Sequence, residues 1–285
     1  MVIQHNIQGM NANRQFQITT VAQRYSAEKL STGYKINRSA DDAANLAVSE
    51  NMRRQVKGLT QASANAQDGI SLAQVADGAL QEVHAMIQRG NEIAVKAATD
   101  TLTDSDRSYI DDEIQRIAEE IESVASKATF NEISIFPPNG AVVGKESETG
   151  ADVPDLILQV GSETDSQNEL AIKRYSLSAE ALGIDGANAR TRDDALESIE
   201  KFKNALVNVS SMRSYYGSLQ NRLEHTIKNV DNTTENTQSA ESSIRDTDMA
   251  KQMFHQSNLN ILSQAGNSVL AQANQSNSGV LKLVQ

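Results

Sequence analysis

Residues 252–285 read QMFHQSNLNILSQAGNSVLAQANQSNSGVLKLVQ, and this stretch is the starting point for the fold. From residue 252 to residue 281 it contains no Asp, Glu, Lys or Arg. Its apolar residues recur at steps of three, four and seven, which places them on one face of a helix; they include Leu262, Val269, Leu270, Ala273, Val280 and Leu283. A helix with so thin an apolar face gains little from a single neighbour, so the pattern favours an element that assembles with other copies.

The amino-terminal end has a matching pattern. Its polar positions are again rich in Asn and Gln, and its apolar residues again follow helical spacing; they are Ile3, Ile7, Met10, Ile18, Val21 and Tyr25. Two ends of the same unusual composition are predicted to pair with each other. The alternative is two independently frayed termini, because disorder concentrates at chain ends.

The middle of the chain carries longer heptad-like series of apolar residues. One series runs over 56–98 and is interrupted at Ser63, Asp77, His84 and Asn91; another runs over 195–234 and is interrupted at Arg213 and Gln220. A third helix is predicted over 110–128, with Thr103 or Asp104 as its N-cap, and Ser39 or Asp41 is the expected N-cap of the helix before residue 56. Side-by-side packing of such helices predicts an elongated rod.

Residues 130–190 differ in composition from the rest of the chain, since all three prolines and many glycines lie there. Three short β-prone runs, 133–136, 156–160 and 170–177, stand between turn signals and predict a small antiparallel hairpin. The expected fold is therefore mainly α: a rod of long helices in heptad-type packing, with a small β-hairpin region in the middle and terminal helices that pair as a coiled coil.

No catalytic, cofactor-binding or metal-binding pattern is present in the sequence. The four histidines, His5, His84, His225 and His255, are far apart and form no metalloprotease motif. Residues 140–146, GAVVGKE, faintly resemble a phosphate-binding loop, but the spacing is one residue short and Glu replaces the Ser or Thr that would bind Mg²⁺. The sequence therefore predicts no enzyme and no cofactor.

Composition narrows the classes of partner. The formal net charge is −11, which argues against nucleic acid as a partner, and no stretch is long and apolar enough for a membrane span. The chain has no Cys, so disulfides and zinc fingers are excluded. Its first residues, MVIQHNIQGM, lack the features of a cleaved signal peptide, so export would use a route that reads no such signal.

Specific motifs in both halves resemble the bacterial flagellins. In the first half they are NANR at 11–14, EKLSTG at 28–33, INRSADDAA at 36–44, GLTQAS at 58–63 and DGI at 68–70. In the second half they are QNRLE at 220–224, AESSIRDTD at 240–248 and VLAQANQ at 269–275. The resemblance covers nearly the whole chain outside 137–190, and its style is nearest to flagellins of Gram-positive gut-type bacteria.

The resemblance implies a filament subunit with a known domain plan. Residues 1–43 and 245–285 would form the inner coiled-coil domain, and residues 44–136 and 190–244 the helical rod domain. Residues 137–189 would form a β-hairpin in place of the variable outer domains. Implied partners are other copies of the chain, an export chaperone on the C-terminal segment, and the filament cap and junction proteins. The implied location is the extracellular flagellum, reached by type III export without a cleaved signal.

The resemblance also implies recognition by the Toll-like receptor for flagellin, through Arg89, Glu92, Ile93 and Glu113. The alternative for Arg89 and Glu113 is a plain exposed ion pair between two antiparallel helices. For the chain as a whole, the alternatives are a hook–filament junction protein and a coiled-coil scaffold unrelated to flagella.

Overall fold

Six helices account for most of the chain in a computed structural model that describes residues 6–143 and 154–284, with side chains up to residue 275. They are α1 (Ile7–Thr32), α2 (Ala43–Ala97), α3 (Asp104–Lys127), α4 (Ala179–Leu182), α5 (Arg192–Arg245) and α6 (Met249–Val284). The long helices confirm the mainly α prediction. The helix predicted from residues 195–234 extends at both ends, because α5 has 54 residues.

Two small antiparallel hairpins lie between α3 and α5. The strands β1 (Thr129–Phe130) and β2 (Ile133–Ser134) form one, and β3 (Leu156–Gln159) and β4 (Glu169–Ile172) form the other. In the second hairpin Leu156 lies opposite Ile172, and Leu158 lies opposite Leu170. These strands confirm the predicted β-hairpin region. Strands β2 and β3 fall inside the β-prone runs and β4 begins one residue before its run, whereas β1 lies outside them.

The structure forms two compact units. One combines the chain up to Gln55 with the chain from Glu235 onwards, and we call it the terminal unit. The other runs from Val56 to Thr234, and we call it the central unit. The domain bounds predicted from the family resemblance stay a prediction.

The apolar core of the central unit lies between α2, α3 and α5 and under the second hairpin. Its largest fully buried side chains include Leu80, Ile87, Ile114, Ile121, Phe202, Tyr216 and Leu223. These residues come from the predicted heptad series, because the 3-4 spacing places them on the inner face of each helix. Where a side chain would obstruct close packing the sequence has Gly: a Cβ at Gly90 would lie 2.7 Å from Cε1 of Phe202.

The helix ends show which predicted caps are present. Thr103 and Asp106 form a reciprocal capping box at the start of α3, as the sequence predicted for Thr103. At the start of α2 the prediction of Ser39 or Asp41 was wrong, because Oδ1 of Asp42 accepts the N–H of Asn45. Asp41 is used one turn earlier, where its Oδ2 accepts the N–H groups of Asn37 and Arg38. These bonds lower the pKa of Asp41.

Candidate self-assembly surfaces

Helices α1 and α6 pack against each other in the terminal unit, which confirms that the two ends of the chain pair. Amide and hydroxyl groups make much of the contact. Gln23 donates from Nε2 to Oδ1 of Asn260 at 2.7 Å, and Gln252 donates from Nε2 to Oγ of Ser26 at 2.9 Å. Some of the amides of both ends therefore join the two helices.

The face of α1 that meets α6 is small and polar. Thr19 and Ser26 are the two buried residues of this helix. Opposite them on α6, Leu259 and Ala273 are buried. Gly266 admits the ring of Phe16, since a Cβ at this glycine would lie 3.3 Å from Cδ2 of the ring. The pairing seam is thus narrow and holds few large apolar groups.

The apolar stripe of α1 lies on the other side of that helix. At about 100° per residue, the predicted assembly residues Ile7, Met10 and Val21 point away from the face that carries Thr19 and Ser26. Together with Ile18 and Tyr25 these side chains are exposed, at 60% for Ile7, 67% for Met10, 38% for Val21, 55% for Ile18 and 50% for Tyr25. Side chains this exposed are accessible to another molecule.

The predicted assembly residues of α6 divide between the seam and the surface. Ala273 is buried at the seam, and Leu270 is half-buried. Leu262 and Val269 lie beside the seam and are 55% and 57% exposed. Ile3 lies outside the described residues, and Val280 and Leu283 lie in α6 where side chains are not described.

A second exposed stripe on α6 escaped the sequence analysis. Phe254 and Ile261 stand seven residues apart on the side of α6 opposite Leu259, and they are 75% and 61% exposed. The signal that could have found them was their own seven-residue step, which falls outside the series that contains Leu262 and Val269. The paired helices α1 and α6 therefore each present an apolar face away from their common seam.

The segments next to this helix pair are joined to each other. Tyr34 and Asp246 form an isolated antiparallel bridge, in which Lys35 donates its N–H to the carbonyl of Arg245 at 2.7 Å. The Arg245 guanidinium lies 4.8 Å from the centre of the Tyr34 ring and bonds Glu50 at 2.7 Å. This bond lowers the pKa of Glu50. The bend after α1 is made possible by Gly33, whose φ of 75° is left-handed.

The predicted receptor-facing residues lie on α2 and α3 in the central unit. Arg89 reaches Glu113 at 3.2 Å and Glu92 at 3.5 Å, and their side chains are 59%, 48% and 70% exposed. Ile93 differs, because it is 3% exposed and belongs to the core. Tyr109, one turn before Glu113 on α3, is 70% exposed and adds an aromatic side chain to this surface.

Comparison with known proteins decides the family. A family model described as the bacterial flagellin N-terminal helical region matches residues 3–140, and one for the bacterial flagellin C-terminal helical region matches residues 199–284. The chain belongs to the bacterial flagellin family. It is 43% identical to a flagellin of Halalkalibacterium halodurans, 41% identical to the flagellar filament 31.3 kDa core protein of Treponema maltophilum and 39% identical to a flagellin of Bacillus subtilis. Each comparison covers the whole of both chains.

Membership fixes the class of protein. The chain is a short-form flagellin, a structural subunit of an extracellular flagellar filament and not an enzyme. In the described residues no group of three or more His, Asp or Glu side chains lies together as a candidate metal site. None of the helices in that part of the chain is long and apolar enough to cross a membrane.

Proposed function

We propose that the chain polymerises with copies of itself into a filament that serves motility, and that the exposed apolar stripes of α1 and α6 form the contacts between copies. The observation that carries the proposal is the position of these stripes. Each lies away from the α1–α6 seam, so neither is buried when the two helices pair within one subunit. Large exposed apolar side chains in line on a helix are typical of interaction surfaces.

The two stripes differ from each other, and this difference favours an open polymer. On α1 the stripe is Ile7, Met10, Ile18, Val21 and Tyr25, whereas on α6 it is Phe254 and Ile261, with Leu262 and Val269 at its border. A contact between two unlike surfaces is heterologous, so it generates rings or helical filaments, whereas a two-fold dimer uses the same surface on both partners. Export through the flagellar type III route and capture of the C-terminal segment by an export chaperone belong to the same proposal, as do contacts with cap and junction proteins.

Seeded growth tests the assembly proposal. Purified monomer with short filament seeds and sulfate salt is expected to give filaments of uniform width in negative-stain electron microscopy, because sulfate strengthens apolar association. The double variant Leu262→Asp with Val269→Asp should stop elongation while keeping the circular dichroism of the folded chain. Seeds that remain short with the unaltered chain would instead favour a hook–filament junction protein.

A matched control separates the effect of position from the effect of charge. Asn267 and Asn274 are exposed residues of α6, also seven apart and away from both stripes. Asn267→Asp with Asn274→Asp adds the same charge and is expected to leave elongation unchanged. Normal filaments from the Leu262 and Val269 variant would show that these two residues make no contact required for elongation.

A second proposed function is recognition by the Toll-like receptor for flagellin, and the exposed cluster of Arg89, Glu92 and Glu113 supports it. An exposed ion pair contributes little to stability, so these charges are available to a partner at small cost. An Arg guanidinium also supplies several directed donors and is frequent among the residues that dominate binding. Because Ile93 is buried, it would support this surface from beneath and would make no direct contact.

Binding of the monomer to the receptor ectodomain tests this second function. Arg89→Ala is expected to weaken binding by about tenfold or more, since a residue that anchors an interface contributes about 2 kcal/mol or more and tenfold corresponds to about 1.4 kcal/mol. Lys127→Ala, at an exposed cation 14 residues after Glu113 and about 21 Å further along α3, is the control and should bind as the unaltered chain does. If the Arg89 variant bound the receptor with the same affinity as the unaltered chain, Arg89 would not be part of the binding site.

A further inference from the structure

The two long helices of the central unit each carry one charged residue in their largely apolar seams. Asp77 interrupts the series of α2, and Arg213 interrupts the series of α5. In the structure these two residues face each other: Nε of Arg213 donates to Oδ1 of Asp77 at 2.9 Å. Their side chains are only 35% and 36% exposed, so both charges lie partly within the helix interface.

A second polar pair joins the same two helices further along. Oγ of Ser63 on α2 donates to Oδ1 of Asp231 on α5 at 2.9 Å, and Ser63 is buried. Between the two pairs, a Cβ at Gly69 would lie 3.2 Å from Cδ1 of Leu223. From one contact to the next, the residue numbers on α2 rise while those on α5 fall, as expected for antiparallel helices.

The seven-residue repeat alone defines this alignment weakly. Both seams repeat every seven residues, so a shift of one heptad brings apolar residues opposite apolar residues again. What distinguishes one alignment from the next is the set of residues that break the repeat, together with Gly69 and Gly90, which leave room for Leu223 and Phe202.

A shift of one heptad in one direction would bury charges against apolar groups. Asp77 would face Leu206, and Arg213 would face Ile70. Separating two charges that are paired in a helix interface is strongly unfavourable, because each then lacks a partner where water is partly excluded. Asp231 would meanwhile move from Ser63 to the level of Val56.

The opposite shift also separates both pairs. Arg213 would then lie at His84, whose Nδ1 is already buried without a hydrogen-bond partner among the described residues. Asp231 would face Ile70, again an apolar side chain. Neither shifted alignment restores a partner for every charge.

We infer that Asp77 and Arg213 act as a register lock, with Ser63 and Asp231 as a second such pair, so that α2 and α5 pack in one alignment only. Polar residues at single seam positions are known to specify the register of coiled coils at some cost in stability. The lock concerns the folding of one chain. It is independent of the proposed polymerisation, and its test uses monomer alone.

Disulfide trapping measures the register directly, because the chain has no cysteine of its own. Asp231→Cys is combined with Ser63→Cys to report the observed alignment, and with Val56→Cys or Ile70→Cys to report the two shifted ones. One heptad is about 10 Å along a helix, whereas a disulfide needs Cα atoms within about 7 Å. Each cysteine pair therefore reports one alignment. All three reporters lack Asp231, so the experiment isolates Asp77 and Arg213.

Each reporter is unfolded, refolded and then oxidised, and the yield of cross-linked chain is measured on a gel. With Asp77 and Arg213 present, the reporter of the observed alignment should dominate. Asp77→Leu with Arg213→Leu keeps an apolar seam but removes the lock, and the ratio of observed to shifted cross-link should fall at least about tenfold, the factor for 1.4 kcal/mol. The charge exchange Asp77→Arg with Arg213→Asp should restore the ratio.

An unchanged ratio in the double Leu variant would overturn the inference, even if that variant differs in stability. Circular dichroism identifies a variant that fails to refold. In that event Asp77→Asn with Arg213→Gln, which removes the charges with little change of shape, decides by the same ratio. Failure of polymerisation in any variant has no bearing on this result.

Discussion

Asn6 donates a hydrogen bond from Nδ2 to the backbone carbonyl of Ala273 at 3.1 Å, and this bond joins residues that are 267 positions apart in the chain. The same side chain accepts the N–H of Gly9 through Oδ1 and so caps α1. The Asn6 side chain thus caps the start of α1 and also binds α6. Asn6, Gln23 and Gln252 thus act within the subunit, whereas the proposed contacts with other copies use the exposed apolar stripes.

The stripe that the sequence analysis missed gives the first prediction. Phe254→Asp with Ile261→Asp places two charges on the outer face of α6 and should prevent elongation of seeds, because a charge in an apolar contact lacks a partner. The α1–α6 seam lies on the opposite side, so the helicity of the variant should be unchanged. Electron microscopy with seeds measures the first effect and circular dichroism the second.

The control for this variant is again Asn267→Asp with Asn274→Asp, which should elongate normally. Filaments of normal length from the Phe254 and Ile261 variant would show that this stripe stays exposed in the assembled state. A loss of helicity would show that it contributes to folding of the subunit instead.

The periodicity of apolar residues was sufficient to predict the long helices, but not to predict which face of each helix packs against a neighbour. The seams of α2 and α5 were readable because Leu80, Phe202 and their neighbours recur at 3-4 spacing and bury large apolar groups. On α1 the same rule identified the apolar face but could not tell whether another helix covers it. Ile18 and Tyr25 on that face are exposed, whereas the polar residues Thr19 and Ser26 meet α6. A polar seam gives no hydrophobic signal.

Pairing between distant residues was also beyond the sequence. Asp77 and Arg213 were visible only as interruptions of two separate repeats, and nothing in either repeat indicates that they meet. Ile93 was expected at the receptor-facing surface with Arg89, yet the helix turns it into the core. The α2 cap was predicted at Ser39 or Asp41 and lies at Asp42, since both carboxylates of Asp41-Asp42 can cap and only the backbone decides which one does.

Two glycines of α2 should respond in opposite ways to the same substitution. Gly90→Ala should destabilise the central unit by about 1–3 kcal/mol, because the new Cβ would lie 2.7 Å from the ring of Phe202. Gly78→Ala should stabilise it by about 0.5–1 kcal/mol, because nothing lies within 4 Å of that Cβ and Ala favours a helix. Urea unfolding followed by circular dichroism measures both. Equal effects would contradict the close contact with Phe202.

Asp111 is a buried carboxylate that should contribute to the stability of the central unit. It accepts the N–H of Ala189 at 3.1 Å and Nε of Arg190 at 2.9 Å, and thereby holds the segment before α5 against α3. Asp111→Ala should cost about 2–3 kcal/mol of unfolding free energy, since it leaves a buried N–H without its acceptor. Its neighbour Asp112 is exposed, so Asp112→Ala should cost less than about 0.5 kcal/mol. Similar losses from both would contradict the role of burial.

Tyr215 and Tyr216 should make the protein sensitive to alkali. Tyr215 accepts the N–H of Lys173 through its hydroxyl, and the hydroxyl of Tyr216 donates to the carbonyl of the same residue. Burial raises the pKa of both tyrosines, most strongly that of the fully buried Tyr216. A buried tyrosine resists ionisation because the phenolate would lose its water.

The sign of the pH dependence follows from these directions. In the unfolded chain tyrosine ionises near pH 10, while Tyr216 of the folded chain keeps its proton. Above about pH 10 the unfolded state therefore releases a proton that the native state retains, and stability should fall by about 1.4 kcal/mol per pH unit for this group. Tyr216→Phe should be about 1 kcal/mol less stable at pH 7, because it lacks the bond to Lys173. Its stability should fall less steeply above pH 10, so the difference from the unaltered chain should narrow there. Urea unfolding between pH 7 and 11.5 measures this, with Tyr109→Phe at an exposed tyrosine as the control; parallel curves for the unaltered chain and the Tyr216 variant would refute the role of burial.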